Sequence, residues 1–137
     1  MEIDLKRYSG KWFEIARIKN TFEPNMTNVT AQYNLNNDDT IQVINSGYIN
    51  GEFKEIIGHA IKVNEDTLKV SFQPKIYKTY KILAIDKNYQ YAMIGNLTKQ
   101  YLWILSRKPY ITKEILNTFL NIAKKQNYDI NKLLITK

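Results

Sequence analysis

The chain has no cysteine and only one histidine, His59. The first absence excludes a disulfide framework and a cysteine nucleophile. The second leaves histidine-based triads and multi-histidine metal sites with little to work with, and no metal or other cofactor is expected. The missing thiols do not fix a compartment, because an oxidising environment permits disulfides without requiring them. Arginine is scarce as well, at positions 7, 17 and 107 only, so the formal net charge of +7 comes almost wholly from lysine. Those lysines are scattered from Lys6 to Lys137 and make no continuous basic block, which favours a lysine-coated surface over a nucleic-acid footprint. No apolar run approaches the length of a membrane-spanning helix. Met1 to Leu5 shows no basic segment followed by an apolar one, so no signal peptide is visible: either the chain is made and kept inside, or a leader has been removed. No repeat, linker or low-complexity tract stands out, and 137 residues make one domain, 1–137, with a proper core.

What is present is a succession of short alternating segments. Gly10-Lys11-Trp12-Phe13-Glu14-Ile15-Ala16-Arg17 reads as a first strand entered through a glycine, running to about Lys19. Strict parity puts Trp12, Glu14 and Ala16 on one face and Phe13, Ile15 and Arg17 on the other. The glycine lets the chain turn sharply, and the indole of Trp12 then plugs the end of whatever the strand encloses. Residues 20–25 form a loop marked by Asn and Pro. Val29–Leu35 and Ile41–Ser46 flank a turn at 36–39. Phe53–Val63 is a long strand, bent at Gly58. Leu68–Phe72 ends at Pro74. Tyr77–Ile85, Tyr89–Ile94 and Tyr101–Ser106 follow. About eight strands at a spacing of about 10 residues, joined by short turns, predict an all-β up-and-down antiparallel sheet or barrel. After Pro109 the pattern changes to a helical period: Ile115, Leu116, Phe119, Leu120, Ile122 and Ala123 mark one amphipathic helix over Thr112–Gln126, capped by Thr112 and packed on the sheet. A short extended piece, Lys132–Thr136, closes the chain. Asn-x-Thr triplets begin at Asn25, Asn28 and Asn96; in a chain this rich in Asn they are read as coincidence.

The strand faces carry the functional argument. The residues that share an inward parity are Ala31 and Tyr33, Val43 and Asn45, Ile56, Gly58 and Ala60, Leu68, Val70 and Phe72, Ala92 and Ile94, and Tyr101 and Trp103. Ala31, Gly58, Ala60 and Ala92 are small and leave room. Glu14, Asn45 and the hydroxyls of Tyr33 and Tyr101 are placed to orient a polar head. A barrel of this strand number either fills with side chains or holds one small ligand, and parity alone leaves both readings open. Phe22, in the loop between the first two strands, is the candidate for an apolar latch over the mouth.

Tyr8-Ser-Gly-Lys-Trp-Phe-Glu-Ile-Ala-Arg17, taken with Tyr101-Leu-Trp-Ile-Leu-Ser-Arg-Lys-Pro109, resembles the lipocalin family, most closely its bacterial outer-membrane lipoprotein and apolipoprotein D branches. Gly10 and Trp12 match the first family motif and Arg107 the arginine that ends the last barrel strand. Val29–Tyr33, Val43–Tyr48, Leu68–Phe72 and Ile82–Asp86 fit as well. Two departures stand out: the middle Thr-Asp-Tyr motif is reduced to Asp86-Lys-Asn-Tyr89, and the lipoprotein signal with its lipidated cysteine is absent. The resemblance implies an eight-stranded calyx with one helix outside, in which the arginine stacks on the motif tryptophan and closes the bottom. It implies a non-enzymatic binder or carrier of a small hydrophobic or amphiphilic ligand, a fatty acid or lysophospholipid, with no nucleic-acid partner. The alternative is a lipocalin-fold enzyme acting on a lipid through Glu14. Association with a membrane surface, and a monomer or weak homodimer, stay open. The periplasm or outer membrane is expected if a leader has been removed, the cytoplasm if Met1 is the native start.

Overall fold

The computed structural model of the chain describes residues 2–18 and 26–135. A short helix α1 (Leu5–Tyr8) precedes eight strands: β1 (Gly10–Ile18), β2 (Thr27–Leu35), β3 (Ile41–Ile49), β4 (Glu52–Asn64), β5 (Thr67–Gln73), β6 (Ile76–Ile85), β7 (Tyr91–Asn96) and β8 (Leu102–Ser106). Helix α2 (Lys113–Lys125) and strand β9 (Leu133–Ile135) complete the chain. Each of the eight strands pairs antiparallel with its sequence neighbour, and β1 pairs with both β8 and β2, which closes the sheet into an up-and-down barrel. The expected final extended piece is a ninth strand, added to β1 at Ala16–Ile18.

The turns explain the topology. Asn50 and Gly51, between β3 and β4, both take positive φ, 53° and 80°, as a two-residue hairpin of this hand requires. Tyr89, expected inside a strand, instead sits in the β6–β7 turn at φ 56°. Its amide donates to the carbonyl of Asp86, and the Asp86 carboxylate accepts from the amides of Gln90 and Tyr91. That side chain supplies the local acceptor which ends one strand and starts the next.

The barrel wall has a core on each side. Inside, Trp12, Ile41, Val43, Ala60, Leu68, Ile82 and Ala92 pack with Tyr8 and Ile3. Outside, Ile15, Ala16, Met93, Leu102 and Ile104 are covered by Phe119 and Ala123 of α2. Thr112 caps α2 by accepting from the amide of Ile115, with Glu114 in the first turn and Lys124 and Lys125 in the last, each charge matched to the helix dipole.

One local feature overturns the simple parity of β1. Its register against β8 shifts between Glu14 and Ala16. Trp12 and Glu14 face inward, but the bulge sends Ala16 out under α2 and brings Arg17 in opposite Trp103. Expected on opposite faces, Glu14 and Arg17 therefore meet, with Arg17 Nη1 donating to Glu14 Oε2 at 2.8 Å, and both are almost wholly buried.

Candidate functional site

The site begins with what closes it. Asp4 caps α1 through its carboxylate, and the helix ends at Tyr8, whose carbonyl accepts from the Trp12 indole at 2.8 Å. Trp12 is fully buried, and the Arg107 guanidinium lies 3.7 Å from its ring centroid. Arg107 also donates to the main-chain carbonyls of Arg7, Tyr8, Lys11 and Tyr89. Gly10 is needed there twice over: its φ is +105°, and a Cβ at that position would lie 3.2 Å from Arg107 Nη1. Arg7 adds a second cation over a ring, 4.3 Å above Tyr89. The floor is thus a layered plug.

Above the plug is a cavity of about 540 Å³, within the usual range for small-ligand sites. Ala31, Tyr33, Val43, Asn45, Ile56, Val70, Phe72, Ile94, Trp103 and Glu14 line it, all positions singled out by strand parity. Leu68, on the same inward register, lines it too. So do Met26, Val29, Gln73, Ile76, Tyr80, Ile82 and Leu105, together with Lys54, Glu55 and Lys78. The wall is chiefly apolar and aromatic. Tyr80 stands edge-on to Trp103, ring centroids 5.4 Å apart.

Four expected lining positions lie elsewhere. Gly58 makes no room: a Cβ there would fall 2.3 Å from the Ser71 carbonyl oxygen and 2.6 Å from the Phe72 ring, so the glycine serves the close approach of β4 to β5. Ala60 and Ala92 face inward but are buried in the packed core, off the cavity surface. Tyr101 falls before β8 begins and leans on Trp103 with ring centroids 6.0 Å apart. Its amide is held by the Asn96 side chain, and it is not part of the lining. Tyr33 does line the cavity, but at its lower end, with its ring 4.8 Å from that of Tyr8. Burial raises the proton affinity of both hydroxyls above the ordinary tyrosine range. Phe22 lies outside the described residues.

The mouth is where sequence reasoning was weakest. Lys81, a strand lysine whose face is ambiguous because Lys81-Ile-Leu-Ala-Ile85 is apolar on both parities, is a candidate partner for a ligand head by sequence, but it is not on the cavity lining and reaches towards Asp66, 3.9 Å away. Lys54 and Lys78 hold that place instead, on the linings contributed by β4 and β6. A signal for Lys78 existed: it shares the parity of Tyr80 and Ile82, both lining residues. Arg17 was legible from no such rule, because the bulge that turns it inward carries no glycine or other marker. Among the described residues no cluster of His, Cys, Asp and Glu could hold a metal ion.

A closed antiparallel barrel, plugged at one end and hollow and apolar above the plug, is a calyx. Residues 3–137 match the family model described as Lipocalin-like domain, and the chain belongs to the lipocalin family. It is 40% identical over 139 residues to the Outer membrane lipoprotein Blc of Vibrio cholerae, covering 97% of this chain and 81% of that one. It is 30% identical over 145 residues to mouse (Mus musculus) Apolipoprotein D, covering 97% and 76%. In fold it resembles insecticyanin from the tobacco hornworm Manduca sexta, with a TM-score of 0.80, 19% identity, and 99% and 81% of the two chains covered.

Proposed function

We propose that this protein binds one small amphiphile, of the fatty-acid or lysophospholipid type, tail-first in the calyx, and acts as a carrier and not as a catalyst. The observation that carries the reading is the hollow: a cavity of about 540 Å³ whose walls are mainly aliphatic and aromatic, with lysines on the linings of β4 and β6. A packed core of this size would leave no such void. Ala31, Val43, Ile56, Val70, Phe72, Ile94 and Trp103 supply apolar wall for an acyl chain. Each methylene moved from water onto it is worth about 0.8 kcal/mol. Asn45 and Glu14, the latter held by Arg17, are polar features of the wall, while Lys54 and Lys78 suit an anionic head close to water. A carboxylate or phosphate left there keeps most of its hydration, which avoids the cost of burying a charge.

Titration with saturated fatty acids of increasing length tests this. Affinity should rise by about fourfold per added methylene until the cavity is full, then level off. A nitroxide-labelled acyl chain should quench Trp103 fluorescence and leave little quenching in a Trp103→Phe variant. Affinity that does not change with chain length, or equal quenching in that variant, would show that acyl chains do not enter the barrel.

A further inference from the structure

We infer that the open end of the barrel is a docking face for an anionic lipid bilayer, with the mouth against the surface. The observation is independent of what the cavity holds. The β3–β4 hairpin exposes Tyr48 and Phe53, which pair edge-on at 5.4 Å. The neighbouring β5–β6 hairpin exposes Ile76 and Tyr77, and Leu97 in the β7–β8 turn is 64% exposed. These side chains belong to the same end of the barrel because every hairpin there turns opposite to the Trp12 plug. The closed-end turns, 36–40, 64–66 and 86–90, are built from Asn, Asp, Glu, Lys, Thr and Gln, and their one large apolar side chain, Tyr89, is buried.

Charge separates the two ends in the same sense. At the closed end the carboxylates of Asp4, Asp38, Asp39, Glu65, Asp66 and Asp86 are mixed with Lys6, Arg7, Lys11, Lys62, Lys87, Arg107 and Lys108, while at the mouth Glu52, paired with Lys54, and Glu55 are outnumbered by lysines. Around the mouth, exposed Lys75 follows Pro74 in its turn and Lys99 follows Leu97 and Thr98 in another. Helix α2 delivers Lys124 and Lys125 to this end too, since Tyr128, just beyond them, donates its hydroxyl to the Asn96 carbonyl below the β7–β8 turn. Apolar tips with lysines in excess over Glu52 and Glu55 around them, on a chain of net charge +7, match an interface whose headgroups are anionic and whose acyl region accepts aromatic side chains. A second copy of the chain would have to bring the same cationic rims together, which disfavours it as the occupant. Ile61 and Val63, also exposed, lie farther down the outer wall of β4, beyond the rim.

Vesicle co-sedimentation tests this with the whole chain, using phosphatidylglycerol–phosphatidylcholine vesicles and pure phosphatidylcholine vesicles. Binding is expected to the former, to be much weaker to the latter, and to fall as salt is raised. Phe53→Ser with Tyr77→Ser should weaken it by about tenfold or more. Lys75→Gln with Lys99→Gln should weaken binding to the anionic vesicles alone. Ile61→Ser with Val63→Ser should leave binding as in the parent. A Phe53→Trp side chain should be quenched by brominated acyl chains, and Tyr110→Trp should not. The proposal is overturned if anionic vesicles are not bound, or if the mouth and wall variants behave alike. It is equally overturned if the mouth variants abolish a dimer in sedimentation while the parent ignores vesicles. Fatty-acid titration of the same mouth variants reads the calyx separately, so loss of docking and loss of ligand binding are told apart.

Discussion

At the closed end of the barrel Trp12 has no exposed surface, Arg107 lies over its ring, and the same guanidinium ties the carbonyls of α1, β1 and the β6–β7 turn together. At the open end Trp103 is only half-buried, flanked by Tyr80 and Tyr101, with one side on empty space. The chain has two tryptophans, and it sets one in a plug and the other in a wall. The same side chain therefore carries stability in one place and leaves room in the other. Stability concentrated at one end lets the opposite end stay hollow, since a closed sheet needs no filled interior at every level once its strands are paired all round.

The largest expected effect breaks the plug itself. Trp12→Ala removes a fully buried indole and exposes the aliphatic and aromatic surface it covers, at a cost of about 3–5 kcal/mol. Urea unfolding should show a large fall in midpoint with an unchanged slope. A midpoint equal to that of the parent would remove the distinction between the two ends.

Arg107→Lys is smaller and asks whether charge or shape holds the floor. A lysine keeps the cation but cannot direct a planar fork at several carbonyls. Leaving some of them without a charged donor should cost about 2 kcal/mol. If Arg107→Lys unfolds with the parent while Arg107→Gln is destabilised, the positive charge alone suffices and the hydrogen-bond fork is dispensable.

The floor also predicts a pH dependence. Burial, with help from Tyr33, holds the Tyr8 hydroxyl protonated well above the ordinary tyrosine range. Above a pH of about 10 the unfolded chain gives up that proton while the folded chain keeps it, so the native state binds more protons and stability falls as pH rises. The slope is at most about 1.4 kcal/mol per pH unit for this one group. Tyr8→Phe should be close to the parent near neutrality and lose stability less steeply in alkali. Parallel alkaline curves for the two proteins would show that Tyr8 ionises as easily folded as unfolded.

Much of this was written in the sequence, unevenly. The barrel was legible because most turns carry Asn, Asp or Gly, as at Asp39, Asn50 and Gly51, although Lys75, Tyr89 and Lys99 hold the positive φ in three others, and because Leu68-Lys-Val-Ser-Phe72 alternates cleanly. The helix was legible from its period. Parity also pointed to about half of the residues that line the cavity, from Ala31 to Trp103, because a strand with one face inward repeats every second residue. It failed where register changes. The bulge after Glu14 is set by how β1 pairs with β8, and nothing in Glu14-Ile15-Ala16-Arg17 announces it. Gly58 was misread for a related reason: glycine marks a missing side chain, and only the packing of β4 on β5 tells whether the space is left open or taken by Ser71 and Phe72. Lys78 was legible only in part: it shares the parity of Tyr80 and Ile82, but Lys81-Ile-Leu-Ala-Ile85 is apolar on both parities and blurs which face that is.

A small effect on stability, and the most informative one for function, belongs to Trp103→Ala. The residue is half-buried and already borders a cavity, so its removal enlarges an existing space and creates no sealed void in a packed core. The transfer contribution of a partly exposed ring and the edge-on contact with Tyr80 are what is lost, about 1 kcal/mol in all. Against the Trp12→Ala loss this is minor, and the variant should fold, with near-parent far-UV circular dichroism. Its acyl-chain affinity should nonetheless fall, because an ordered wall is replaced by space that a narrow chain cannot contact on both sides. A bulkier or branched amphiphile should recover part of that loss by filling the vacated volume. Two results would end the comparison drawn between the tryptophans. If Trp103→Ala is as destabilised as Trp12→Ala, the upper barrel is packed as tightly as the plug. If it binds acyl chains as the parent does, the wall at Trp103 takes no part in holding them.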